Sequence, residues 1–299
     1  MNKIAVIIVN YNGIKYNKEC IDSILKSDYN FVDIIVVDNN SQDDSIKELR
    51  KYFRDKIIIY ESKENKGFAH ATNIGMKYAL ENNYKYVLWL NNDTIIEKNM
   101  ISNLIKCSVA NNECVVAPKI MYFDYKNTIW SAGGEIKWIK GQTIQYGYKE
   151  KDLGQYDLHK NITFASGCCI LIPQKVIKTV GLMEEKYFLY YEDTDYCKRI
   201  IDNKFTIMYE PSAKMYHKVS ATTGGESSKL YIYYMTRSRL YFNNKYNKRK
   251  LMSNIYMYLS YFKKYIQWLI NKRYDLIRIS LNAISDFYHN IEGKADKDL

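Results

Sequence analysis

The first 118 residues alternate short β-branched runs with amphipathic stretches, and this alternation limits the possible folds more than any other feature of the chain. Residues 4–9, 34–37, 57–60 and 86–90 are too short for buried helices and rich in Val, Ile and Tyr, so they read as strands buried on both faces. Segments 17–26, 41–52 and 67–80 lie between them with apolar residues at helical spacing, as Cys20, Ile21, Ile24 and Leu25 illustrate. Strand–helix–strand units of this length predict a mostly parallel sheet. A helix at 97–110 and a strand at 114–117 complete this half.

After Pro118 the pattern changes. Gly133, Gly134, Gly141 and Gly147 punctuate the alternation of a hairpin over 130–146, followed by strands at 162–165 and 168–172. A short helix at 173–180, an aromatic loop at 182–191, a helix at 192–202 and a strand near 205–209 come next. From Ser227 onward the spacing is helical, with breaks near Asn247 and Asn271. The expected organisation is one α/β domain over 1–228, with halves 1–118 and 119–228, and a helical segment over 229–299.

At 299 residues, 47% hydrophobic and 26% charged, the chain is neither disordered, fibrous nor a disulfide miniprotein. Six cysteines with no C-x-x-C pair suggest neither a zinc knuckle nor a disulfide framework, and they are expected to be reduced thiols of a cytoplasmic protein. The apolar run at 4–9 lacks a small-residue cleavage site, so a strand is expected there instead of a signal peptide. No run approaches the ~18 apolar residues that a membrane span needs.

In an open α/β sheet, ligands gather beyond the carboxyl ends of the strands. Polar clusters occur at four such places: Asn10-Tyr11-Asn12, Asp38-Asn39-Asn40-Ser41, Asn65-Lys66-Gly67-Phe68 and Asn91-Asn92-Asp93. Any one of them is ordinary turn chemistry, but four in succession along one sheet edge point to a site. Neither G-x-G-x-x-G nor G-x-x-x-x-G-K-[ST] is present, so a nucleotide would be held differently. Asp38 is suited to accept from a base N–H, Tyr11 to stack on the ring, and Asp93 to hold Mg²⁺ or Mn²⁺ bridging phosphates. Glu192, Asp193 and Asp195 form a second acidic cluster. Its residues serve either as first-turn acids opposing a helix dipole or as a general base for a hydroxyl nucleophile.

The stretches VIIVNYNG (6–13), VVDNNSQDDS (36–45), NKGFAHATNIGM (65–76), LNNDT (90–94), FASGCCILIP (164–173) and YFLYYEDTDYCKR (187–199) together resemble the family 2 glycosyltransferases of GT-A fold. The likeness covers about residues 1–245 and is nearest the rhamnosyltransferase-like branch that builds surface polysaccharides. It implies a Rossmann-like nucleotide-binding sheet, a mixed acceptor-side region, and inverting transfer of one sugar, with rhamnose a candidate, from a dTDP-, UDP- or GDP-sugar to a glycan or lipid-linked acceptor. Asn10, Tyr11, Asn12, Asp38, Asn40, Gly67, Phe68, Asn73, Asn91 and Asn92 are then expected at the donor. Asp193 is the implied base, with Glu192, Asp195 and Gly167 toward the acceptor. Where many relatives carry Asp-x-Asp, this chain has Asn91-Asn92-Asp93, so the resemblance leaves Asp93 as the metal carboxylate, and His217 of MYHKVSATTGG matches a second metal ligand of some members. The processive signature Q-x-x-R-W is absent.

Residues 229–299 hold 14 of the 44 Lys+Arg but only 5 of the 33 Asp+Glu, and 15 aromatic residues lie between Tyr231 and Tyr288. Aromatic and basic residues together predict contact with an anionic membrane surface, placing the protein peripherally at the inner face. A helical lid with its aromatics in the core is the plainer alternative. No nucleic-acid motif accompanies the charge, so a basic nucleic-acid-binding protein ranks lower, as does a non-catalytic nucleotide-sugar binding module.

Overall fold

The computed structural model describes residues 2–219, 225 and 227–295. Residues 220–224 of the MYHKVSATTGG stretch and 296–299 of the C-terminal segment lie outside the described residues. The first half runs β1 (Ile4–Asn10), α1 (Asn17–Leu25), β2 (Val32–Asp38), α2 (Ser45–Phe53), β3 (Ile57–Glu61), α3 (Phe68–Glu81), β4 (Tyr86–Asn91), β5 (Thr94–Ile96) and α4 (Met100–Ala110). The second half adds β6 (Val115–Tyr122), β7 (Ile129–Ser131), β8 (Gly134–Lys137), β9 (Gln142–Gln145), β10 (Lys160–Ile162), β11 (Cys169–Pro173), α5 (Gln174–Val180), α6 (Glu192–Asp202) and β12 (Ile207–His217). Helices α7 (Lys229–Tyr246), α8 (Lys250–Ile270) and α9 (Tyr274–Tyr288) follow.

β1 is central because both of its faces are apolar. Ile4, Val6 and Ile8 pack with Cys20, Ile21, Leu49 and Leu104, whereas Ala5 and Ile7 pack with Met76, Trp89 and Tyr196. The strand's period of two therefore feeds two helical layers at once, and each fully buried Ile contributes about 1.5–3 kcal/mol. Among the described residues the main sheet has ten strands, with β10-β12-β6-β11-β4-β1-β2-β3 as its continuous path. β3, β2, β1 and β4 are mutually parallel, and β11 enters antiparallel between β4 and β6. The architecture is thus α/β with a mixed sheet, its first four strands β1 to β4 parallel, as expected from the sequence.

Three differences from the sequence reading matter for the site. α2 starts at Ser45 and not near Ser41, because the Ser41 hydroxyl and amide both donate to Asp38 (2.6 and 2.9 Å). β6 continues through Pro118 to Tyr122, and that proline pairs with Glu210 beside a bulge between Glu210 and Lys214 in β12. A bulge is where a strand tolerates a residue without an N–H. β12 runs to His217, and its far end pairs with the short strand β5, His217 opposite Thr94.

The C-terminal helices are joined to this core. Tyr241 and Phe242 of α7 belong to the same buried cluster as the sheet, and Trp138 stacks on Phe242 with ring centroids 5.7 Å apart. Many aromatics of the segment, including Tyr233, Tyr234 and Tyr261, are buried. The exposed face of α8 is instead largely aliphatic: Leu251, Ile255, Leu259, Ile266 and Ile270, with Phe262 among them.

Candidate functional site

The parallel strands β1, β2 and β4 end side by side, with Asn10 in register with Asp38 and Val9 with Asn91. Asn10 is fully buried there. Its Nδ2 donates to Asp38 Oδ1 (2.7 Å), Ser45 Oγ (2.9 Å) and Ser41 Oγ (3.1 Å), and its Oδ1 accepts from Asn17 Nδ2 (2.7 Å) and Asn92 Nδ2 (3.3 Å). Asn92 also donates to Asn17 Oδ1 (3.0 Å), which closes a ring of amides beneath the strand ends. Gly13 is required by this ring, since a Cβ there would lie 2.1 Å from Asn92 Nδ2 and 2.3 Å from Asn10 Oδ1.

Asn12, in the left-handed region at φ 51°, takes the Gln42 amide on its side chain and donates its own N–H to Ser41 (2.9 Å). Asn40 is also left-handed, at φ 64°. Tyr11 stands at the mouth, 37% exposed. Asp38 is buried, its oxygens engaged by Asn10 and Ser41, so it holds this floor together as well as bordering the edge. Gly67 adopts φ 95°, where a Cβ would strike the Phe188 carbonyl oxygen at 2.3 Å; the Phe68 N–H donates to that same carbonyl (3.1 Å). Asn91 ends β4, its N–H donating to the Cys168 carbonyl (2.9 Å).

Two expected residues are placed differently. Asn73 points away from the strand ends and clamps the 183–185 loop, donating to the Met183 carbonyl (3.0 Å) and Glu185 Oε1 (2.8 Å) and accepting from the Met183 N–H (2.8 Å). Asp195 is fully buried and saturated by Arg199 Nε (2.7 Å), Lys245 Nζ (3.0 Å) and the Tyr246 hydroxyl (2.8 Å), so it anchors α7 instead of facing an acceptor. Asn17 was not expected at the site, and Asn39, inside one of the four polar clusters, was given no role of its own. Asn39 donates to Asn65 Oδ1 (2.8 Å) and the Gly67 carbonyl (3.1 Å), fixing the β3–α3 turn, and nothing in its spacing distinguishes it from a turn asparagine.

The β5–β12 register sets His217 Nε2 3.2 Å from Asp93 Oδ1, both side chains buried. Among the described residues Asp93 Oδ1 has no partner besides His217, and His217 Nδ1 has no hydrogen-bond partner. Trp130 meets the imidazole edge-on, ring centroids 4.7 Å apart. Burial works to lower the His217 pKa, but Cys168 and Asp93 outweigh it and raise it to about 10. A carboxylate oxygen and an imidazole nitrogen held side by side, short of partners, fit a divalent cation.

Next to this pair, Gly167 connects to the second acidic group. Its N–H donates to Asp193 Oδ2 (2.9 Å), and a Cβ on Gly167 would press on Asp193 Cβ at 3.2 Å. Asp193 Oδ1 takes the Thr194 N–H (2.6 Å), so the carboxylate is oriented at both oxygens. Burial raises the Asp193 pKa. Burial, and then the Asp193 charge, raise that of Glu192, whose buried Oε2 has no hydrogen-bond partner. Tyr190 and Tyr191, immediately upstream, both lie in the left-handed region (φ 64° and 71°), a strained approach to the α6 N-terminus of the kind that concentrates at functional sites. α7 braces this loop through the Phe188–Tyr234 stack (4.9 Å) and the Ser238 hydroxyl, which donates to the Leu189 carbonyl (3.2 Å).

Residues 5–181 match the family model described as Glycosyl transferase family 2. The chain is 27% identical over 210 residues to the low-salt glycan biosynthesis hexosyltransferase Agl10 of Haloferax volcanii, covering 67% of this chain and 62% of that protein. It is 26% identical over 224 residues to the dTDP-rhamnosyl transferase RfbF of Shigella flexneri, covering 73% and 70%. Its fold resembles GalNAc-T7, solved with UDP, GalNAc and Mn²⁺, at a TM-score of 0.62 and 14% identity over 80% of this chain and 49% of that one.

Proposed function

The chain belongs to glycosyl transferase family 2 and has the α/β architecture of its GT-A structural neighbours, and from that premise we propose that it moves one sugar, with inversion, from a nucleotide-diphosphate donor to a hydroxyl of a glycan or lipid-linked acceptor. The observation that carries this is the Gly167 turn. Its amide orients the Asp193 carboxylate, and the neighbouring Cys168 lies against the Asp93–His217 pair. One short segment therefore brings a base next to a cation-fitting pair.

In this reading, Asp193 takes the proton from the acceptor hydroxyl as its oxygen attacks the anomeric carbon, and the bond from that carbon to the diphosphate oxygen breaks. Asp93 and His217 would hold Mn²⁺ or Mg²⁺, which as a Lewis acid stabilises the charge of the departing diphosphate. Tyr11, Asn12 and Asn40 border the nucleoside, above the floor made by Asn10, Asp38 and Asn92. Gly67 and Phe68 face the loop that leads to Asp193. The RfbF likeness makes dTDP-rhamnose the first donor to test, and surface polysaccharide the first product class.

The test is a screen of dTDP-, UDP- and GDP-sugars with Mn²⁺ for thermal stabilisation, followed by transfer assays with the stabilising donor. A ligand at 100 times its Kd adds about 2.7 kcal/mol. No stabilisation by any of the three classes would overturn the reading.

A second reading concerns α8, where an exposed aliphatic stripe runs along a segment that carries most of the chain's excess positive charge. Among the described residues no helix is long and apolar enough to cross a membrane. An amphipathic basic helix of this kind suits peripheral contact with an anionic membrane at its inner face, where a lipid-linked acceptor would be available.

A further inference from the structure

A second group of metal-binding side chains lies away from the strand ends, between the C-terminal half of α4 and the start of the β12 bulge. A cavity of about 380 Å³ opens there, lined by Asn103, Lys106, Cys107, His159, Glu210 and Ser212 among others. One ligating atom from each of Cys107, His159 and Glu210 lies within 4.8 Å of the others. Glu210 is buried and fixed: Oε1 accepts from the Ser212 N–H (2.9 Å) and hydroxyl (2.6 Å), while Oε2 faces His159 Nδ1 at 3.0 Å. The Cys107 thiol contacts Glu210 and also the buried Cys114 thiol.

A buried carboxylate covered by one exposed histidine is an ordinary ion pair, but such a pair has no use for two thiols at its base. Sulfur, imidazole nitrogen and carboxylate oxygen are the zinc donor set. Bonds of about 2.0–2.3 Å to a tetrahedral centre put ligands some 3.3–3.8 Å apart, so closing the group needs only small side-chain shifts. Mg²⁺ and Mn²⁺ favour oxygen-rich shells, which suits the Asp93 corner better than this one.

We propose that Cys107, His159 and Glu210 bind one zinc ion, with Cys114 as the adjacent thiol available for the fourth position. The ion clamps three segments far apart in sequence: the α4–β6 stretch that carries Cys107 and Cys114, the turn into β10, and the β12 bulge, seven residues before His217. The role is structural, and it does not depend on the glycosyl-transfer reading.

The experiment uses the full chain carrying Asp93→Ala and His217→Ala, stripped by chelator dialysis and titrated with Zn²⁺ against a chromophoric chelator, then with Co²⁺ to read thiolate charge transfer. The expected result is one Zn²⁺ per chain, a higher Tm with zinc, and a Co²⁺ thiolate band. His159→Ala, at an exposed ring where folding is unaffected, should weaken binding about 100-fold, and Cys107→Ser should remove the band. In the otherwise wild-type chain the same two substitutions should each cost one zinc equivalent. Absence of zinc binding in both chains, or affinity unchanged by both His159→Ala and Cys107→Ser, overturns the proposal.

Discussion

At the strand ends Asn10, Asn17, Asp38 and Asn92 commit their side-chain groups to one another, whereas at the neighbouring corner Asp93 Oδ1 has only His217 beside it, and Glu192 Oε2 and His217 Nδ1 have no hydrogen-bond partner among the described residues. A satisfied amide network is rigid and costs little to maintain. An unsatisfied buried atom costs about 1–3 kcal/mol, and a fold retains several together where something else is to bind. The first region is therefore expected to set shape and the second to do chemistry, so substitutions in the two should fail in different ways.

The largest expected effect is at Asp193. Asp193→Asn keeps the side-chain shape and one of the two accepted N–H bonds but cannot take a proton, so kcat should fall by about 10² to 10⁴ with donor stabilisation retained. Asp93→Ala should instead lose metal-dependent donor binding as well as turnover. A wild-type rate in Asp193→Asn, or activity resistant to chelators, would move the chemistry elsewhere.

Next comes α8. Leu259→Ser with Ile266→Ser removes two exposed aliphatic side chains worth roughly 1–2 kcal/mol each at an interface, so the affinity for liposomes should drop by about thirtyfold to several hundredfold. Turnover on a water-soluble acceptor should not change. Flotation independent of anionic lipid and salt would remove the electrostatic part of the reading.

Asp195 and Asp193, two residues apart on α6, sharpen the contrast. Asp195→Asn strands the charges of Arg199 and Lys245, and at about 3 kcal/mol it should lower Tm more than any mutation of the acidic cluster while sparing chemistry in what remains folded. The resemblance placed Asp195 toward the acceptor, with a first-turn acid as the plainer reading of its spacing; its partner from α7, Lys245, is fifty residues downstream and invisible to local spacing.

That limit recurs across the molecule. The buried strands of the first half were legible as short continuous β-branched runs and its helices by their 3.6 spacing, and helices α7 to α9 because their breaks fall at asparagines. β5 was not legible, being three residues that pair only through β12. Nor was the passage of β6 through Pro118, since the bulge that accommodates it belongs to another strand. Asp93, Asp193 and His217 stood out by residue type and resemblance. Asn73's turn toward Met183, the amide ring, and the Cys107–His159–Glu210 group arise from tertiary register and have no local signature.

The pH response should also divide the two regions. Burial raises the pKa values of Glu192 and Asp193 above the ordinary carboxylate range. Groups raised in the folded state stabilise it fully below their unfolded values, and that contribution is lost as pH rises through the folded ones. The base, however, works only when ionised. From the ordinary carboxylate range upward, kcat should therefore climb while stability declines, and Asp193→Asn should flatten its part of both curves. Parallel rise of rate and stability over that window would show that neither acid is raised.

The smallest effect is expected at Tyr11, and it tests whether the mouth of the strand-end region touches the donor at all. The ring is 37% exposed and takes no part in the amide ring, so Tyr11→Ala should leave Tm unchanged. Stacking on a base is worth about 1–3 kcal/mol, and an exposed ring sits at the low end, near a fivefold rise in donor KM. Because the base is remote from the reacting carbon, the contact is equal in ground and transition states, so kcat should hold. Asp38→Ala is the internal control: it removes the acceptor of Asn10 and Ser41, so it should raise KM and lower Tm together. If Tyr11→Ala lowers kcat but not KM, the ring serves the reacting end instead of the base, and the donor lies in the opposite direction along the sheet edge.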